Sequence, residues 1–538
     1  MKNITEIMSL IEGIIEQESF SNLLISVGSP HSKARVKNFE SNRYLIHNIE
    51  KYLNAYSKNI GKLPEWIKLD IVTNTKSIVF NDLLKEMTQI RRNYIDFGIT
   101  FDDSFKLSFL PEVINANAFM KPKQKNAKQL IMSDSNINYY LKHYTKHRKA
   151  FDQSSFFNQT VLQFWTRGYF IENGQLYKLY DKGGQKGIRK IENLSSEIYQ
   201  LIANSTQYLA NEVQPNGKFN YGYFPHFDRK INFYNILRHS SSTYALAEGL
   251  AYLDKDLKTV EKALKYIMNH ALFYDNDVAY IFDDTKQINE IKLGQNASFI
   301  FAACEYLKHH PEASTILKAA QDVAKGLLTM INHNTMETIH VLNYPDLSIK
   351  SSFRIIYYDG EAALALLRLY QIDGNNMWLK TVEGLVNRFI DKAYWKHHDH
   401  WIGYCVNELV QISPKKRYFE LGIRNVAGYL DFIYHRETTF PTFLEMLMAS
   451  YHLVQKAKLE GYEMLVSEFI NEQQLIETIH KRAEYQRAGY FYPEVAMYFK
   501  NPKRILGSFF IKHHGYRVRI DDIEHYLSGY VQYQCVFQ

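Results

Sequence analysis

A chain of 538 residues exceeds what one hydrophobic core usually serves, and 46% hydrophobic with 22% charged residues reads as globular, in two domains. The net charge of +7 is scattered along the chain. That argues against the basic stripe of a nucleic-acid binder and leaves an anionic substrate open. Three cysteines, Cys304, Cys405 and Cys535, lack metal-ligand spacing in a chain too large to need disulfide staples, which points to a reducing, cytoplasmic setting.

At the N-terminus, Glu6, Glu12 and Glu16 interrupt the apolar run that a signal peptide requires, so the segment reads as an amphipathic helix. No window approaches the roughly 20 apolar residues of a membrane span. Residues 1–120 alternate strand-like runs ("LLISVGS", "SKARVKNF", "WIKLDIVTN") with helical ones ("NRYLIHNIEKYLNAYSK", "FNDLLKEMTQIRRNY"), the pattern of a small mixed α/β domain. Gly28 is a turn glycine, since no phosphate-cradling glycine motif follows it. Residues 121–192 read as a connecting segment, with the basic "KPKQKNAK" at 121–128 as a solvated linker.

From residue 193 to 538 strand signals fade and helices come in pairs. One member of each pair is amphipathic; the other starts with polar or turn-forming residues and is then apolar nearly all round, as in a helix buried on most sides. The six apolar members are "RHSSSTYALAEGLAYL", "GQNASFIFAACEYL", "YYDGEAALALLRLY", "DHWIGYCVNELVQI", "TTFPTFLEMLMASYHLV" and "RIDDIEHYLSGYVQYQ". Their starts are separated by anything from 39 to 81 residues, too uneven for a regular solenoid. Six outer and six inner helices in alternation resemble an (α/α)6 toroid, the fold of the six-hairpin glycosidases and of several sugar epimerases and polysaccharide lyases. The fold class expected is therefore mainly α, a toroid preceded by a small α/β domain.

The resemblance implies that the polar starts of the inner helices share one cavity mouth. Asp359 and Glu361 would meet Arg238, His239, Gln295, Asn296, Asp399, His400, Asp521, Asp522, Glu524 and His525 there. Helix capping explains one carboxylate per start, but not Arg238 and His239, which the positive end of a helix disfavours. Glycosyl chemistry needs an acid and a second carboxylate on opposite sides of the bond. Asp359 and Asp522 are the leading pair, with Glu361, Asp521, His525 and His239 as further catalytic candidates. Tyr357, Tyr358, Trp401 and Tyr526 offer a stacking platform beside the substrate-binding candidates Arg238, Asp399, His400, Gln295 and Asn296. The loops "NGKFNYGYFPHFD" and "RAGYFYPEVAMYF" are placed along the cleft.

"RIDDIEHY" has His525 where a diphosphate-binding box has Asp, and "KHHDHW" lacks a metalloenzyme motif, so neither a metal nor a cofactor is expected. Ser240 beside His239 lacks the nucleophile elbow. The function expected is a carbohydrate-active enzyme with a glycan or glycoconjugate substrate, hydrolysis coming first. A sugar epimerase or polysaccharide lyase using His239, His400 or His525 is the alternative, and a glycan-binding scaffold of a polysaccharide assembly is a third.

Overall fold

The structure is a computed structural model that describes residues 4–124 and 127–538. Residues 125 and 126 of the basic stretch expected as a linker lie outside the described residues. The chain divides into two compact units. One comprises residues 1–192, 223–230 and 487–518; the other comprises 193–222, 231–486 and 519–538.

The first unit opens with α1 (Ile4–Glu16), β1 (Asn22–Ser29), β2 (Ser32–Glu40), α2 (Leu45–Ile60), β3 (Trp66–Val79) and α3 (Phe80–Gln89). It continues through β4 (Gly98–Thr100), β5 (Ser108–Phe109), α4 (Pro111–Ala116), β6 (Met120–Pro122), β7 (Leu130–Met132), α5 (Asp134–Tyr144), β8 (Thr160–Glu172) and β9 (Gln175–Lys178). An antiparallel sheet in the order β2-β1-β3-β8-β4-β5, with β9 on β8, forms its frame. Alternation along β3 sets the two faces. Ile67, Leu69 and Ile71 join Ile7 and Ile11 of α1 and Ile49 and Leu53 of α2 in one core. Lys68 and Asp70 fall on the opposite face, where Lys68 Nζ lies 2.7 Å from Asp70 and 3.0 Å from Glu112.

Residues 121–192, expected to be a connection, supply β8, which pairs along nearly the whole of β3. Its "TVLQFWTRGYFIE" is rich in aromatic and aliphatic residues but does not alternate, and pairing with a distant strand is what makes it a strand. Of the two aromatic loops placed along the cleft, residues 488–499 belong wholly to this unit, whereas the loop at 216–228 is divided, with 216–222 in the other unit and 223–228 in this one, and β10 (Gly222–Phe224) pairs with β11 (Arg229–Lys230). Tyr498 donates to Ser26 Oγ, Ala34 N donates to the Met497 carbonyl, and Glu494 binds Arg189. The rings of the 488–499 loop serve packing and tethering within the sheet unit, whereas Phe219 and Tyr221 pack on His239, Phe233 and Tyr234 within the other unit.

The second unit holds α6 (Leu194–Asn211), α7 (Ile236–Tyr252), α8 (Lys258–His270), α9 (Leu293–Leu307), α10 (Ser314–Thr329), α11 (Tyr357–Asp373), α12 (Asn376–Asp391) and α13 (His400–Ile412). It continues with α14 (Lys416–Ala427), α15 (Leu430–His435), α16 (Thr442–Leu459), α17 (Glu463–Phe469) and α18 (Glu472–Tyr485). After the short α19 (Pro493–Ala496) and α20 (Pro502–Ile505) of the first unit, α21 (Ile520–Val536) completes it. The apolar helices pack in succession: α7 on α9, α9 on α11, α11 on α13, α13 on α16, α16 on α21, and α21 back on α7. Every residue of α9 is buried, as expected of a helix packed on all sides. Replacing one such Leu by Ala costs about 2–5 kcal/mol.

The amphipathic helices α6, α8, α10, α12, α14 and α18 each pack against members of that cycle. Asn193, Asn235, Asn375, Asp399 and Asn471 cap helix starts with side-chain acceptors. Strands do persist after residue 193. β12 (Leu272–Asp275), β13 (Val278–Asp283), β14 (Glu290–Lys292), β15 (Val341–Asn343) and β16 (Ile349–Ser351) form an antiparallel sheet, and β14 runs straight into α9. These strands are too short to show periodicity. Among the described residues, no helix is long and apolar enough to cross a membrane.

Candidate active site

The first two turns of α7, α11, α13, α16 and α21 bring together a cluster of titratable side chains. Arg238 Nε lies 3.4 Å from Asp521 Oδ2. Burial opposes its charge, but Asp521, Glu524 and Glu361 together raise its pKa. The cation that the start of a helix disfavours is thus held by carboxylates from neighbouring helices.

Glu361 is buried, and its Oε2 has no hydrogen-bond partner. Burial pushes its pKa up to about 8; Arg238 opposes the shift, while Asp399 and Glu524 reinforce it. Asp399 caps α13 by accepting from Trp401 N at 3.0 Å. Its Oδ2 lacks a partner, and burial raises its pKa to about 8 despite the cap. Gly360 makes room for it, since a Cβ there would lie 2.8 Å from that Oδ2. Glu524 accepts from Ser241 Oγ at 2.5 Å and is raised by burial to about 7.

Two histidines stand among these carboxylates with ring centroids 5.5 Å apart, and their environments push them in opposite directions. Burial, with His525 and Arg238 adding to it, drives the His400 pKa well below its usual value, and its Nε2 has no partner. Desolvation lowers the half-buried His525 as well, but Glu445 and Glu524 override that and raise it to about 9. Its Nδ1 donates to Glu445 Oε2 at 2.9 Å. His400, Glu445 and His525 place one ligand-type atom each within 4.8 Å of one another, and of these Glu445 and His525 form an ion pair.

The pair placed first on sequence grounds is engaged elsewhere. Asp522 is gripped by Arg519 through two bonds, of 3.0 Å and 2.7 Å, and Asp521 shares Arg519 at 3.0 Å. Asp359 accepts from Thr338 Oγ1, from His340 Nε2 at 3.1 Å and from Tyr394 OH at 3.0 Å. His340 Nδ1 accepts from the backbone of Arg354, so its proton sits on Nε2 and points at Asp359. This network pins the loop before α11.

Other sequence candidates do not join the cluster. His239 bridges Tyr234 OH and the Ala263 carbonyl, stacks on Tyr266, and is driven by burial to about 3. Gln295 and Asn296 bind the backbone of Ile281 in β13, holding α9 to the small sheet. Tyr526 is wholly buried and donates to Thr439, and Trp401 stacks on Phe301, so neither ring offers a free face. Tyr358 is buried against His340, whereas Tyr357 is 37% exposed with its ring 5.9 Å from His400. Glu445, Ser241 and Arg519 were missed as site residues. Glu445 had a signal: it is the lone carboxylate inside the apolar run of α16.

No family model matches the chain, and no curated protein matches it. Solved structures do. A sugar epimerase from a ruminal bacterium aligns with a TM-score of 0.51 at 13% identity, covering 64% of this chain and 100% of its own. The likeness is one of fold. A cellobiose 2-epimerase from Bacillus thermoamylovorans (TM-score 0.48, 10% identity, 63% and 99% covered) and an α-1,6-mannanase from Salegentibacter sp. (0.43, 10%, 63% and 100%) align less well.

Proposed function

We propose that the helical unit is an (α/α)6 toroid and that the chain is a carbohydrate-active enzyme moving a proton at a sugar carbon, as an epimerase or isomerase does. The observation that carries this reading is the His400–His525 pair, 5.5 Å between ring centroids and pushed to opposite protonation states. Neighbouring groups whose pKa values are driven apart divide into base and acid. His400, neutral with an unpartnered Nε2, takes the proton from the carbon beside the sugar carbonyl. His525, held as imidazolium by Glu445, returns a proton to the carbon or to the oxygen. Arg238 stabilises the negative charge that builds on that oxygen. Tyr357 covers the sugar.

Hydrolysis is the second reading. It rests on Glu361, whose unpartnered carboxyl stays protonated near neutral pH, as a general acid must. One experiment separates the two. Purified protein is incubated with mono- and oligosaccharides in deuterated water, reading deuterium at the sugar carbon and release of reducing ends. Deuterium uptake lost in His400→Asn and His525→Asn supports proton transfer. Reducing-end release lost in Glu361→Gln supports hydrolysis, and neither activity on any sugar overturns both.

A further inference from the structure

The histidine-rich "KHHDHW" at 396–401 is divided by the fold. Asp399, His400 and Trp401 form the start of α13, whereas Lys396 and His398 line a surface cavity of about 400 Å³. That volume falls within the range of about 300–1,000 Å³ usual for small-molecule sites. Trp395 and Phe469 give the cavity two aromatic walls, and Arg424 of α14 adds a guanidinium. Among the described residues, no carboxylate lines it.

The Arg424 guanidinium lies 3.9 Å from the centre of the Trp395 ring and 5.8 Å from that of Phe469, so stacking fixes its plane. Its one side-chain hydrogen bond among the described residues is to Glu420, at 3.1 Å one turn earlier on α14, which leaves most of its five donors to a ligand. Lys396 is exposed and makes no ion pair among the described residues. His398 Nδ1 lies 2.8 Å from the Asn425 carbonyl, to which it must donate, and its ring stacks on Tyr429 with centroids 4.2 Å apart. The proton on Nδ1 leaves Nε2 of the neutral ring as an acceptor.

Asn425 also ties the cavity to the candidate active site. Its buried side chain accepts from Asp399 N at 3.1 Å and donates to the Asp399 carbonyl at 2.8 Å. One residue of α14 thus holds both His398 and the start of the helix that carries His400.

We propose that this cavity binds a sugar unit bearing a negative charge, a carboxylate or a phosphate. Lys396 and Arg424 meet the anion, which the flat guanidinium fork suits in either form. Trp395 and Phe469 offer apolar surface to the ring, and His398 Nε2 accepts from a hydroxyl. The sugar part of this assignment rests on the carbohydrate reading above; the charge rests on the cavity alone.

The test is calorimetric titration of the full chain with glucose, glucuronate and glucose 6-phosphate. Binding is read without turnover, so a protein that binds a charged sugar but transforms none keeps the site and loses the proposed activity. Expected is saturable binding of at least one charged sugar, the two arms telling carboxylate from phosphate. Affinity should fall at least about tenfold in Arg424→Gln, fall by less in Lys396→Gln, and hold in His400→Asn. Lys396 is exposed, so its variant keeps the test open if Arg424→Gln fails to fold. Absence of binding by either charged sugar, or equal affinity in the wild type and both cavity variants, overturns the site. Glucose binding as tightly as its charged relatives overturns the anion assignment, and a loss confined to His400→Asn moves the ligand to the helix-start cluster and overturns the cavity.

Discussion

The carboxylate of Glu361 occupies the space that a side chain on Gly294 would fill. A Cβ at Gly294 would lie 1.9 Å from Glu361 Oε2 and 2.5 Å from the Tyr358 ring. The absence of a side chain on α9 therefore sets the depth at which an α11 carboxylate is buried, and with it the pKa of that group.

Gly294→Ala is accordingly expected to destabilise the chain by about 1–3 kcal/mol and, by displacing Glu361, to lower kcat/KM at least about tenfold. Gly403→Ala is the control. A Cβ there meets nothing nearer than 3.7 Å, in a helix interior where Ala is preferred to Gly by about 1 kcal/mol. Scanning calorimetry of both variants should show Tm falling in the first and holding or rising in the second.

The buried carboxyls predict how stability changes with pH. Glu361 has an ordinary value of 4.5 and a folded value of about 8; Asp399 goes from 3.8 to about 8. Between those limits the folded chain keeps protons that the unfolded chain releases. Their contribution to stability therefore declines as pH rises through that window, by at most about 1.4 kcal/mol per pH unit for each group. Denaturant titrations from pH 5 to about pH 8.5 should show a shallower decline in Glu361→Gln than in the wild type.

For His525 the sign is the usual one for a paired imidazole. Its pKa is raised from 6.5 to about 9, so the stabilisation is complete below the lower value and is lost as pH climbs through the higher one. Glu445→Gln removes the main cause of the rise. The imidazole titration followed by NMR should move to lower pH, and the alkaline limb of the kcat/KM profile should move with it.

Asp359→Ala should behave as a structural lesion. It leaves the donors of Thr338, His340 and Tyr394 without their acceptor, at a cost of about 2–4 kcal/mol. Well below the lowered Tm, the variant should keep its kcat while KM rises through a looser loop before α11. A kcat that vanishes while Tm is unchanged would instead place Asp359 in the chemistry.

Much of the helical unit could be read from sequence because each inner helix is apolar on all faces and opens on a polar start. The start expected at Tyr357 coincides with that of α11, and those at Arg238, Gly294, Asp399 and Arg519 lie within two residues of α7, α9, α13 and α21. At Arg238 the helix dipole argues for a carboxylate nearby without saying which, and the structure supplies Asp521 from a neighbouring helix. At His239 the same argument misled, because a buried neutral imidazole bonded to Tyr234 and Ala263 carries no charge for the dipole to oppose. Asp522 misled for another reason. Its partner Arg519 is three residues away, at the same helix start, and only side-chain geometry shows the bidentate grip. β8 stayed hidden because a strand is identified by a partner, and its partner lies almost a hundred residues earlier.

The first unit draws residues 223–230 and 487–518 from beyond the start of the helical one. During synthesis, the sheet emerges from the ribosome long before the segment carrying Glu494 and Tyr498, which bind Arg189 and Ser26. Until then Arg189 has only Glu172 and lacks its second carboxylate, Glu494. Cutting the gene at residue 192 would leave the N-terminal fragment permanently in that incomplete state. A separate sheet domain for expression would need the two later segments grafted back by short linkers, with the helices between them removed.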